Sequence, residues 1–153
     1  MRHSMKIVFL VVALLGFTSP VAAGDQIFTS WGKAIRGYDP VAYFTQGKPV
    51  RGSDKLVHVY RGAAYRFSSE AHLDVFKQDP ARYAPQYGGF CAYGVAVGKK
   101  FVGDPNVWEV VDGRLYLNLD NKIKGLWVKD VEGNIEKADQ AWPEIRAKHY
   151  SKL

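Results

Sequence analysis

Hydrophobic and polar residues change period several times along this chain, and the changes mark out short elements. Lys55-Leu-Val-His-Val-Tyr60 alternates and is rich in β-branched and aromatic residues, which predicts a strand. Arg61-Gly62 turns it and Ala64-Tyr-Arg-Phe67 returns, making a hairpin on which His58 shares a face with Leu56 and Tyr60. Ser68-Ser69 opens a helix over Glu70–Gln78, with a serine cap and Glu70 in the first turn. His72, Val75 and Phe76 share a stripe of that helix, which directs His72 inward. Asp79-Pro80 ends the helix and starts a turn to Tyr83. Ala92–Val97 is short and apolar and fits helix or strand. The clearest local signal is Val107–Val111, Asp112-Gly113 and Arg114–Leu119, where an Asp-Gly pair between alternating β-formers predicts a two-residue hairpin. Asp120-Asn121 caps a helix through Lys129, and a further helix runs from Val131 to Trp142, stopped by Pro143. Upstream, Asp39-Pro40 predicts a helix start over Pro40–Thr45, the carboxylate acting as cap. The sum is α+β: antiparallel hairpins at 55–67 and 107–119 in one small sheet, with short helices packed on it. Helix 69–78 covers the first hairpin and the two C-terminal helices cover the second.

The start of the chain has a different character. Arg2, His3 and Lys6 precede an apolar run of eleven, Ile7–Phe17, too short to span a bilayer as an anchor. Thr18-Ser-Pro20 breaks the run, and Val21-Ala-Ala23 is a small-residue cleavage site. Residues 1–23 therefore predict a secretory signal peptide, with residues 24–33 a leader, 34–143 the domain and 144–153 a flexible polar tail in which His149 has no specific role. The expected address is the periplasm of a bacterium, or secretion, with no stable membrane insertion after cleavage. Cleavage takes Arg2 and Lys6 and no acidic residue, lowering the net charge from +6 to +4. The remaining cations are scattered, so the charge serves solubility and excludes nucleic acid as a partner.

The chain has a single cysteine, so an exported protein of this sequence cannot close an intramolecular disulfide. Cys91 follows Gly88-Gly89 inside a ring of aromatics, Tyr83, Tyr87, Phe90 and Tyr93. A glycine pair lets a partner approach closely. A thiol at a helix start would be favoured as thiolate by the dipole, while the plainer reading makes Cys91 a small buried hydrophobe.

Four motifs stand in order: Gly37-Tyr-Asp-Pro-Val-Ala-Tyr-Phe44, Tyr65-Arg-Phe-Ser-Ser69 with Phe76 and Asp79-Pro80, Tyr83-Ala-Pro-Gln-Tyr-Gly-Gly-Phe-Cys-Ala92, and Asp112-Gly-Arg-Leu-Tyr116. Together they resemble the exported, stand-alone branch of the YHS-domain family, over roughly residues 34–143. A distant branch, similar to the TRASH-type domains, is associated with metal binding through cysteines. Laid on this sequence, its cysteine positions meet Ala42, Ser68 and His72, so only His72 keeps ligand chemistry and a thiolate cage cannot be built. What the resemblance leaves is a Cys91 and His72 pair, with His58 as a further ligand and Tyr65 or Asp39 as supplements. Copper is the metal that a soft thiolate and an imidazole point to.

Three readings of function follow. The first is an exported module binding a metal ion, copper first, or a small ligand near the Gly-Gly-Phe-Cys turn and its aromatics. The second is a structural or protein-interaction domain without chemistry of its own. The third is a thiol-based redox protein using Cys91, which requires a lowered thiol pKa and a neighbouring base. No CxxC, Walker or dinucleotide fingerprint is present, so enzymatic activity is the lesser expectation.

Overall fold

A computed structural model describes residues 26–153, and the signal-peptide reading of residues 1–23 lies outside them. The architecture is α+β. Strands β1 (Thr29–Ser30), β2 (Lys33–Ala34), β3 (Ser53–Tyr60) and β4 (Ala63–Phe67) form a sheet of order β1-β2-β4-β3, with β2 parallel to β4 and the other pairs antiparallel. Strands β5 (Asp104–Val111) and β6 (Arg114–Asn118) form a second, separate hairpin sheet. Helices α1 (Ala42–Thr45), α2 (Glu70–Gln78), α3 (Pro80–Tyr83), α4 (Ala92–Ala96), α5 (Asn121–Trp127) and α6 (Val131–Ile145) complete the domain. No helix among the described residues is long and apolar enough to cross a membrane.

Local chemistry explains most boundaries. Ser69, Asp120 and Asp130 cap α2, α5 and α6 by accepting from His72, Ile123 and Gly133 amides. Asp112 and Gly113, at φ 50° and 70°, make the left-handed two-residue turn that matches strand twist.

The two hairpins do not share one sheet, as the alternation had suggested. They pack face to face, and β6 is the wall between two cores. Leu115 and Leu117 point into the first core, with Tyr43, Tyr65, Phe67 and Phe76. Tyr116 points the other way, into the second core, with Phe90, Val95, Trp127 and Ala138. Strand side chains alternate between faces, so a strand apolar on both faces separates two cores rather than bounding one. Helix α2 covers the first hairpin, with Phe76 4.9 Å from the Tyr65 ring and 5.0 Å from the Phe67 ring.

The boundaries of α1, α5 and α6 differ from expectation for identifiable reasons. Helix α1 begins at Ala42, two residues later than predicted, because Asp39 accepts from the Val41 amide in a tight turn first. Helix α5 ends at Trp127, short of Lys129, and the Asn134 side-chain amide donates to the Trp127 carbonyl there. Helix α6 runs through Pro143 to Ile145. A late proline forfeits one hydrogen bond, and burial of Ile145 in the second core offsets it. Past α6, the buried Lys100 ammonium donates to the Arg146 and Lys148 carbonyls (3.1 and 2.7 Å) and lies 4.4 Å from the Phe90 ring. Tyr150, in the segment expected as a polar tail, packs edge-on against Phe28 at 6.3 Å.

Candidate functional site

Asp39 is fully buried and collects five donors. Its Oδ1 accepts from the Val41 and Ala42 amides (2.9 and 3.4 Å), and its Oδ2 from the Ser68 amide, the Ser68 hydroxyl and His72 Nδ1 (2.8, 2.6 and 2.7 Å). It is therefore a hub joining the start of α1 to the start of α2, not only the helix cap that Asp39-Pro40 signalled. A carboxylate only accepts, so His72 carries a proton on Nδ1. Its other nitrogen, Nε2, lies 3.1 Å from the Thr45 hydroxyl, which also reaches the Val41 carbonyl at 3.1 Å. In neutral His72, Nε2 accepts a hydrogen bond from the Thr45 hydroxyl; in charged His72 it donates to Thr45, whose hydroxyl then donates to the Val41 carbonyl. His72 is thus directed inward as expected, its side chain 14 % exposed, and the arrangement orients one imidazole edge toward the surface. Ala42, Ser68 and His72, the positions that the resemblance equates with metal ligands, all converge on this one carboxylate.

Cys91 stands elsewhere, at the start of α4 and wholly buried. Its Sγ accepts from the Gly94 amide (3.3 Å) and donates to Asn118 Oδ1 at 3.6 Å. Burial pushes the thiol pKa up, and the backbone hydrogen bonds from Gly94, Leu119 and Tyr93 only partly oppose it. Of the two readings of Cys91, the small buried hydrophobe is the one the structure bears out: α4 is one turn long, and desolvation outweighs its dipole. His58 packs edge-on against Phe76 at 6.0 Å, on the face it shares with Tyr60. Cys91, His72 and His58 are not brought together, and among the described residues no three His, Cys, Asp or Glu side chains are grouped to hold a metal ion. Tyr65 lines the first core and Asp39 serves the hub.

Beside the glycine pair lies a cleft of about 280 Å³. Tyr60, Arg61 and Tyr65 of the first hairpin, Tyr87 of the central stretch, and Trp142 and Arg146 of α6 and its end form its principal walls. Tyr87 and Gly88 take positive φ, 52° and 64°. Gly88 has no alternative there, because a Cβ would fall on the Gln26 carbonyl. The close partner that the Gly-Gly pair admits is thus the chain's own N-terminal segment, locked by the Phe28 amide donating to the Gly88 carbonyl at 2.9 Å.

Residues 41–87 match the family model of the YHS domain. Over that stretch the chain is similar to the YHS domain. No curated protein and no solved structure matches the chain. The YHS match runs from the residue before α1 to Tyr87, so it takes in Thr45, Ser68 and His72 and one wall of the cleft. Asp39 lies two residues before it and Cys91 four residues after it. The YHS domain is consistent with a binding module.

Sequence reasoning did not find Ser68 as a ligand of Asp39, Thr45 as the partner of His72, or Asn118 as the partner of Cys91. Asn118 left one trace, a polar amide in an otherwise apolar stretch of strand. Arg61 and Arg146 left none, being 85 positions apart and ordinary in composition.

Proposed function

We propose that this protein is an exported YHS-domain binding module that takes a small ligand in the cleft beside Tyr87 and Gly88. The observation that supports it most is the cleft itself: aromatic walls, a few polar groups, and a volume near the lower end of the usual range for ligand sites, about 300–1,000 Å³. It is built where both cores, the N-terminal segment and the end of α6 meet, so its shape depends on the whole fold. The copper reading gains less support. Its thiol is buried against Asn118, while His72 is held by Asp39.

The test is nuclear magnetic resonance of the full chain against a library of small organic molecules, together with metal analysis of the purified protein. Shifts clustered on Tyr65, Tyr87 and Trp142 are expected. If no compound moves those signals, and stoichiometric copper is found and is lost in Cys91→Ser, the copper reading replaces this one. Export is tested by fractionation and N-terminal sequencing, with a start at Gly24 expected; an uncleaved chain in the cytoplasm would refute it.

A further inference from the structure

The cleft is chemically one-sided. Arg61 and Arg146 line it, and no acidic residue does among the described residues. Neither guanidinium forms an ion pair among the described residues. Arg61 lies over the Tyr60 ring, 5.2 Å from its centroid, which leaves its N–H edges for another partner. Asp139, the carboxylate bound by the Tyr87 hydroxyl at 2.9 Å, faces a different hollow with Asp112, Glu132 and Glu136.

A second observation is independent of charge. Tyr65 lines the same cleft, and its hydroxyl makes no hydrogen bond to a described residue. Tyr65 is only 1 % exposed, but among the described residues the fully buried polar atom without a partner is Asn118 Nδ2, so the Tyr65 hydroxyl still meets solvent and can donate to a bound group. Burial pushes its pKa up, with Tyr60 adding to the rise and Arg61 opposing it, so the hydroxyl remains a donor at neutral pH. Two unpaired guanidinium groups and one unpaired hydroxyl thus supply donors and no matching acceptor, beside the rings of Tyr60, Tyr87 and Trp142.

We propose that the cleft binds a small organic anion, a carboxylate or phosphate carried on a flat apolar body, with Arg61 and Arg146 holding the anionic group and Tyr65 donating to it. The inference rests on the binding-module reading and names its ligand class. Guanidinium groups pair with carboxylate and phosphate by two parallel hydrogen bonds, and the aromatic walls accept a planar body.

Isothermal titration of the full chain with benzoate, phenyl phosphate and the neutral benzamide tests it, with nuclear magnetic resonance shifts to locate binding. At least one of the two anions is expected to bind at the cleft about tenfold more tightly than benzamide, as charge-assisted hydrogen bonds imply. Arg61→Gln and Arg146→Gln should each remove most of that preference, and Tyr65→Phe should weaken the anion about threefold while leaving benzamide unchanged. Both arginines are at the surface, and an unchanged melting curve checks that their variants remain folded. Benzamide binding as tightly as the anions would overturn this inference and leave the binding-module reading standing. Failure of all three compounds to bind would overturn it, and silence of the cleft to the whole library would overturn that reading too. Inorganic phosphate binding as tightly as phenyl phosphate, with benzoate silent, would mean an adventitious ion only, and also overturns it.

Discussion

Each core of this domain buries a polar side chain, and the two are treated differently. Asp39 in the first core has both carboxylate oxygens engaged by five donors. Asn118 in the second core accepts from Cys91 and the Tyr93 amide through Oδ1, but its Nδ2 has no partner. A buried charge must be surrounded by donors or it destabilises the fold by several kcal/mol, whereas one idle amide hydrogen is tolerated. Asp39 therefore organises its surroundings, and Asn118 fits into surroundings that packing has already set.

That contrast orders the expected effects of substitution. The largest is at Asp39: Asp39→Ala strands Ser68 and His72 without an acceptor and should cost about 3–5 kcal/mol in urea denaturation. A loss below about 1 kcal/mol would show that the hub is not what joins α1 to α2. Next is Gly88→Ala, which strains a positive φ and displaces Gln26, for about 1–3 kcal/mol and weaker binding in the cleft. Retention of both stability and binding would mean that the N-terminal segment is not locked there.

Cys91 sharpens the comparison through pH. Its folded pKa lies above its unfolded value, so the neutral thiol is favoured by folding. That contribution is fully present below the unfolded pKa and fades as pH rises toward the folded one. Stability should thus decline above about pH 8.5. Cys91→Ala should flatten the onset of that decline, while the buried tyrosines Tyr43 and Tyr87, whose pKa values burial also raises, keep the steeper part at higher pH. An identical alkaline limb in wild type and variant would remove Cys91 from the account, and rapid alkylation of the native thiol at neutral pH would contradict its burial.

The smallest effect is expected at Asn118. Asn118→Leu loses the acceptor for the Tyr93 amide but also removes the idle Nδ2, so the change should stay within about 1 kcal/mol. A cost comparable to that of Asp39→Ala would abolish the distinction between the cores.

Much of the local structure was legible because its causes are local. Helix α2 was read to the residue from its serine cap and the Asp79-Pro80 break. The second hairpin followed from Asp112-Gly113. His72 was turned inward by helical spacing, and strand alternation placed His58 on one face with Leu56 and Tyr60. The failures came where distant packing outweighed a local signal. Pro143 did not stop α6, because Ile145 is buried beyond it. At Cys91 packing also outweighs the start of α4, and the thiol is the small buried group of the plainer reading.

The sequence by itself determined the hairpins, the caps of the helices, the YHS motifs and the inward face of α2. Those rest on periods, turn residues and side-chain acceptors acting over a few positions. Only the tertiary structure decided that β6 divides two cores, that Asp39 joins Ser68 and His72 from 29 and 33 residues away, and that Arg61 and Arg146 line one cleft. Such meetings depend on which faces exclude water together, and no period along the chain records that.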